Sequence, residues 1–199
     1  MKVTYRVLLA CWLSFSVVGC GSSLPVRYFS LEPAGPPAAA VGEDAVIVGI
    51  GPLRFPEYLS KPQIMSRSAE SEIKVYEFDR WVEPVDEAVH RILAINVERA
   101  ADNVRVIAFP YDVIPYEYQV YGSIERFDAD HSGLAVLTAQ WGIVTEDRQL
   151  VVVPHRVTYS VPVSGNMEPG SIVRALNDTL GQFGDDIATH LNATVSGIR

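Results

Sequence analysis

The sequence predicts an α/β fold: a single compact domain whose mixed, mostly antiparallel sheet is covered by two long helices. Three observations carry this. Several runs alternate apolar and polar residues or are rich in β-branched side chains. Two segments instead repeat their apolar residues every three to four positions. The order along the chain is strands, helix, strands, helix, for which two helices over one sheet is the economical packing.

Taken in order, Val26 to Leu31 alternates as a strand. Pro33 to Gly42 (PAGPPAAAVG) reads as a mobile or extended linker. Ala45 to Ile50 is a β-branched run suited to a strand buried on both faces, ended by Gly51-Pro52. Prolines 56 and 62 bracket a short turn, and Ile64–Arg67 with Glu72–Phe78 predicts a hairpin. Trp81-Val82-Glu83-Pro84 opens the first helix, with Pro84 at the first helical position and Asp86 and Glu87 at the positive end of the dipole. Its stripe is Val85, Val89, Ile92 and Asn96, broadened by Ala88, Leu93 and Ile95, and it fades near Asp102-Asn103.

A short strand at Val104 to Ala108 precedes a predicted antiparallel meander. Its strands are Tyr118–Phe127, Leu134–Thr145 and Leu150–Val163, joined by a turn at Asp128–Gly133 and a polar turn at Glu146–Gln149. In the second, Ala135, Leu137, Ala139, Trp141 and Ile143 share a face; in the third, Val151, Val153, Val157, Tyr159 and Val161 do. The last helix runs from Pro169 to about Val195 on Ile172, Leu176, Leu180, Phe183, Ile187 and Leu191, with Gly181 and Gly184 expected to bend or loosen it. At 1.5 Å per residue it is about 40 Å long.

Composition narrows function. The 199 residues carry 16 basic and 24 acidic side chains, a formal charge of −8 that argues against nucleic acid as a partner. Two cysteines cannot build a disulfide framework.

The amino terminus is read as a signal. Lys2 and Arg6 precede an apolar run from Val7 to Val18, too short for a bilayer core that needs about 20 apolar residues. Val17-Val18-Gly19-Cys20 resembles the lipobox of bacterial lipoproteins. That resemblance implies cleavage after residue 19 and acylation of Cys20, with residues 20–25 as tether and 26–199 as the domain. The alternatives are an ordinary cleavage site beside an incidental cysteine, or an uncleaved anchor. Removal of residues 1–19 leaves 14 basic against 24 acidic side chains, a charge of −10, and no second cysteine. Lipoproteins held at the inner membrane tend to carry Asp after the acylated cysteine. Gly21 stands there, which by resemblance points to the outer membrane, with the domain facing the periplasm.

Signals for catalysis are thin, and no enzyme activity and no cofactor is expected. His90, His131, His155 and His190 are scattered, without a metal-ligand spacing. Asp128, Asp130 and His131 lack the glycine and terminal Glu of a calcium loop and read as a hairpin tip. Gly49-Ile50-Gly51 is followed by proline rather than by a helix, so it is a strand end and not a dinucleotide fingerprint. No GxSxG occurs.

Four phrases stand out: YFSLEP at 28–33, FPEYLSKPQIMSR at 55–67, DRWVEPV at 79–85 and YGSIERFD at 121–128. Together with the lipobox they resemble the auxiliary lipoproteins of ABC-type transport systems, of the paraquat-inducible lipoprotein C type. Ser60 and Lys61 stand where that family commonly has Asp and Arg, and Val82 where it has Ala. The resemblance implies a non-catalytic, lipid-anchored outer-membrane partner of an ABC ATPase, a permease and an MCE-domain protein. Such machines move phospholipid or other hydrophobic molecules between the two membranes. It leaves room for a homo-oligomer. The other readings are a periplasmic carrier that binds one lipid between sheet and helices and an envelope enzyme whose site carries no recognised motif. Within the phrases, Arg80, Trp81 and Glu83 are either local packing around a helix start or partner contacts. Tyr58, Leu59 and Pro62 are either a fixed turn or a docking surface.

Overall fold

The computed structural model describes residues 24–36, 41–69, 72–110 and 114–196. Cys20 and the signal segment lie outside the described residues, as do residues 37–40 of the linker. The elements are β1 (Arg27–Phe29), β2 (Val46–Arg54), a 3₁₀ turn (Glu57–Ser60), β3 (Gln63–Arg67), β4 (Ile73–Trp81), α1 (Val85–Ala100), β5 (Val104–Ala108), β6 (Tyr118–Ala129), β7 (Leu134–Thr145), β8 (Leu150–Pro162) and α2 (Pro169–Ser196). The expected α/β domain is what forms: one mixed, open, eight-stranded sheet with two helices.

The long ladders, β6–β7 and β7–β8, are antiparallel and form the expected meander. β3 and β4 form the expected hairpin, while β1 joins β4 in parallel and β5 joins β2 in parallel. β6 is the spine. β7 occupies one of its edges along the whole length, from Tyr118 to Ala129. A strand has only two edges, so β2 and β3 share the other. β2 runs parallel to residues 118–123 and β3 meets it at Ser66↔Ala129. β2 and β3 are thus one line of strand along β6, interrupted by residues 55–62.

Both helices cover one face. Between them and the sheet lie Trp141, Phe183, Leu176, Leu180, Ile187 and Leu93, each essentially inaccessible to solvent. The Trp141 and Phe183 rings meet edge-on with centroids 5.9 Å apart. Asn96 falls inside the apolar stripe of α1 because its Oδ1 accepts the Ala34 N–H at 2.9 Å, which ties the start of the linker to the helix. Glu32 N–H reaches Asn177 Oδ1 at 3.2 Å in the same way. The beginning of that linker is therefore docked rather than mobile.

Six local readings need correction. β2 does not stop at Gly51-Pro52 but continues to Arg54 through a register shift. Gly51, at φ +107°, lies so close to His90 that a Cβ would sit 2.8 Å from its ring. Trp81 does not open the helix; it is the last residue of β4, and Pro84 precedes the first helical residue, Val85. Ile95 is exposed and lies off the buried stripe of α1. Val153 does not share a face with Val157 and Tyr159, because β8 carries extra residues opposite Ile143 that flip its alternation and leave Val153 in solvent. Gly181 and Gly184 do not loosen α2. A Cβ on Gly184 would lie 2.6 Å from the Asn96 Cβ of α1, and one on Gly181 would lie 2.7 Å from the Ala34 Cβ. They are small so that backbones can approach. Last, Asp128 is not at a hairpin tip but within β6, and it is buried.

Candidate functional site: the interruption between two strands

Leaving β2 at Arg54, the chain must rise off the sheet before re-entering it at Gln63. Pro56 and Pro62 flank this excursion, and the 3₁₀ turn Glu57–Ser60 makes it compact, with Leu59 N–H bonded to Pro56 O at 3.0 Å and Ser60 Oγ to Glu57 O at 2.7 Å. Where the excursion leaves β6 without a neighbour, side chains take over. The Phe127 N–H donates to the Tyr58 hydroxyl oxygen at 3.2 Å, and that hydroxyl donates to Asp128 Oδ2 at 3.0 Å.

Asp128 is the hub of this clasp. Its side chain is 1% exposed and accepts from Arg67 Nε through Oδ2 and from Arg126 Nε through Oδ1, both at 2.8 Å. The Arg67 guanidinium also lies over the Tyr58 ring at 5.2 Å. Burial raises the Tyr58 hydroxyl pKa, and the Asp128 charge raises it further. Arg67 loses basicity to burial, but its bonds to Tyr58 and Asp128 more than restore it. Asp130 does hold the turn: its Oδ1 accepts from the N–H groups of Ser132 and Leu134 and from the Ser132 hydroxyl. Burial alone would raise its pKa, but those bonds and Arg126 bring it below the ordinary value.

Beneath the excursion lies His90. Its Nδ1 is 2.7 Å from Asp86 O, which can only accept, and its Nε2 is 3.0 Å from Leu53 N–H, which can only donate. The ring is therefore the neutral Nδ1–H tautomer. It sits between the Phe55 and Phe109 rings, each 5.7 Å away. Burial holds its pKa below 6.5, against the smaller opposing effects of the Asp86 carbonyl and charge. Above it opens a recess of about 250 Å³, lined by Leu53, Phe55, Pro56, Glu57, Leu59, Ser60 and Asp86.

The six residues singled out from the sequence divide cleanly. Leu59 and Trp81 are buried in the core, and Tyr58 packs against it while closing the clasp. Trp81 N–H donates to Pro62 O at 2.7 Å, which pins the end of β4 to the end of the excursion. Pro62 is exposed, Arg80 is half-buried in register with Tyr28, and Glu83 pairs with Arg91 across the first turns of α1. The four phrases therefore meet: 28–33 pairs with 79–85, 79–85 bonds to 55–67, and 55–67 clasps 121–128. Sequence reasoning does not single out Arg67 or Arg126, reads Asp128 as a turn former and sets His90 aside as one of four scattered histidines. The available signal was Arg126-x-Asp128, whose spacing puts both side chains on one face of a strand.

Elsewhere, His155 and His190 come together, ring centroids 5.7 Å apart against Trp141. Tyr159 donates to Asp186 Oδ2 at 2.6 Å beside them, and burial followed by that carboxylate raises its pKa strongly. Among the described residues no three side chains of metal-ligating type are grouped to hold an ion.

Comparison with known proteins gives one family. Residues 29–188 match the family model described as the ABC-type transport auxiliary lipoprotein component. No curated protein matches the chain. Two solved structures share the fold. The crystal structure of protein XCC0632 from Xanthomonas campestris aligns with a TM-score of 0.68 at 16% identity, covering 87% of this chain and 100% of that one. A second crystal structure, of an uncharacterized protein, aligns with a TM-score of 0.70 at 14% identity, covering 84% and 99%.

Two outcomes follow from this geometry. Asp128→Asn should lower stability by about 3 kcal/mol, the low end for removing one member of a buried ion pair, because both arginines keep partial access to water. Chemical denaturation measures it, and a loss no larger than for an exposed carboxylate would refute the hub. His90 supplies a pH effect. The unfolded imidazole takes up its proton near 6.5 and the folded one resists it, so the unfolded chain binds more protons just below that pH. The stability contributed by neutral His90 is complete above 6.5 and falls as pH drops from there towards the folded pKa. His90→Gln should be less stable at neutral pH, yet lose less on acidification from about pH 7 to about pH 5. Parallel pH–melting curves would contradict this.

Proposed function

The chain belongs to the ABC-type transport auxiliary lipoprotein component family, and from that premise we propose a specific role. It is a non-catalytic docking component, anchored through Cys20 in the outer membrane and facing the periplasm. Its partners are an MCE-domain protein and the permease and ATPase of an ABC system that moves phospholipid or other hydrophobic molecules between the membranes. The anchor reading is supported by the lipobox and by Gly21, where retention at the inner membrane would favour Asp.

One observation favours docking over direct carriage of a lipid. The layer where a carrier would hold its ligand, between sheet and helices, is filled by Trp141, Phe183, Leu180 and Ile187. The recess above His90 opens outward instead and, at about 250 Å³, is smaller than the roughly 300–1,000 Å³ that encloses a small ligand. It suits a partner side chain. Its apolar floor of Leu53, Phe55 and Leu59, with Glu57 and Asp86 among the lining residues, favours an apolar anchor carried on a basic segment. We assign the rest of that contact to Pro62, exposed at the end of the same excursion, and to Glu83, two residues before α1.

The test is affinity isolation of the acylated protein from cross-linked membranes. The MCE-domain protein and permease should co-isolate. Ser60→Trp, which fills the recess from an exposed position, should reduce recovery about thirtyfold if the contact carries the roughly 2 kcal/mol of an interface hot spot, with melting unchanged. Undiminished recovery would exclude the recess, and lipid bound in fixed stoichiometry to the isolated domain would favour the carrier. For the anchor, Cys20→Ala should leave an unprocessed or differently cut precursor, absent from the outer-membrane fraction. Fatty-acid label still reaching that variant would refute the lipobox.

A further inference from the structure

The edge of the sheet nearest the amino terminus carries an apolar surface that the core does not use. β1 pairs with β4 so that Arg27, Tyr28 and Phe29 lie beside Asp79, Arg80 and Trp81. Phe29 and Trp81 turn to the core, and Arg27 bonds the buried Asp79 at 2.6 Å. Alternation sends the neighbouring positions outward. Tyr28 is 63% exposed, Phe78 42% and Val82 59%, and Leu24 and Val26, at the same spacing before β1, are 65% and 39% exposed. Half of the large apolar side chains left in solvent among the described residues belong to this one surface. Arg80 adds a cation to it, its Nε enclosed without an acceptor among the described residues.

We propose that this outward face of the β1–β4 pair lies against the phospholipid headgroup layer of the membrane that holds the anchor. The inference rests on the reading of Cys20 as acylated. Four residue steps separate Cys20 from Leu24 and, however they run, they span at most about 14 Å. Leu24 therefore cannot leave the neighbourhood of the bilayer, whose polar layer is about 5–8 Å thick on each side. Everything the tether can reach first is this edge, and what it offers suits an interface. Tyr28 is a ring with a polar tip, of the kind enriched at headgroup level. Leu24, Val26 and Val82 are small apolar groups, and Arg80 matches a phosphate. The net charge of −10 on the processed chain gives no attraction to anionic lipid, so the contact depends on the tether and on this local surface.

The processed chain offers a direct test, because Cys20, once acylated, leaves no other thiol. Single cysteines introduced as Val26→Cys, Val82→Cys and, on the opposite sheet edge, Val153→Cys are spin-labelled in the full acylated protein. The protein is reconstituted in phosphatidylethanolamine and phosphatidylglycerol vesicles. Mass measurement of the amino-terminal peptide first reports acylation; an unmodified Cys20 removes the anchor reading and this inference with it. With acylation present, labels at 26 and 82 should collide several-fold more with lipid-soluble oxygen, relative to a water-soluble nickel complex, than the label at 153. Tyr28→Asp should abolish that difference at 26 without changing the melting curve. Equal nickel access at all three positions would overturn the inference while leaving the anchor intact. Labels at 26 and 82 shielded from both reagents would overturn it too, assigning the face to another protein surface.

Discussion

A β-strand has two edges, and in this protein β6 must serve three partners. β7 claims one edge from end to end, so β2 and β3 divide the other and leave a stretch around Phe127 with no strand beside it. A backbone N–H stranded there would cost free energy comparable to a lost hydrogen bond. The Tyr58 hydroxyl satisfies it, and Asp128 with Arg67 and Arg126 holds the hydroxyl in place. Much of the rest follows from this division. The interruption creates the excursion at residues 55–62, the excursion creates the recess, and His90 braces its floor by accepting the N–H of Leu53, which lies past the end of the β2–β5 ladder.

That arrangement explains what was legible in the sequence. Features set by local periodicity were readable almost to the residue: Leu134–Thr145 coincides with β7, and the stripe from Ile172 to Leu191 defines α2. Features set by pairing between distant segments were not. Asp128 looks like a turn former because the residues after it are turn formers. Its burial comes from Arg67, 61 positions earlier, which only the sharing of the β6 edge brings near. Val153 continues the apolar alternation of β8, and the bulge that turns it outward is decided by its pairing with β7. Gly184 reads as a weak point in a helix until the approach of α1 shows that there is no room for a side chain.

The candidate site was legible as a set of words and not as a mechanism. FPEYLSKPQIMSR, DRWVEPV, YFSLEP and YGSIERFD each stand out in the sequence, but their relation is three-dimensional. Trp81 looked like a helix opener beside Pro84, yet it closes a strand whose last N–H bonds to Pro62. The phrases are the places where the chain pins its own crossings.

This bears on where partner specificity resides. Tyr58, Leu59 and Trp81 are directed to the core, and Arg67 and Arg126 each donate their Nε to the buried Asp128. Residues engaged in that way define the fold, and a partner cannot read them directly. On the docking role proposed above, what it can read is the rim they hold in place: Glu57 and Ser60 on the turn and Asp86 at the start of α1. A rigid clasp beneath an exposed rim keeps the rim in one geometry without ordering it at the moment of contact, which lowers the entropic cost of association. Two members of the family could then share the clasp and still choose different partners through a few exposed side chains. Ser60 and Lys61, both exposed on the turn, are positions of that kind.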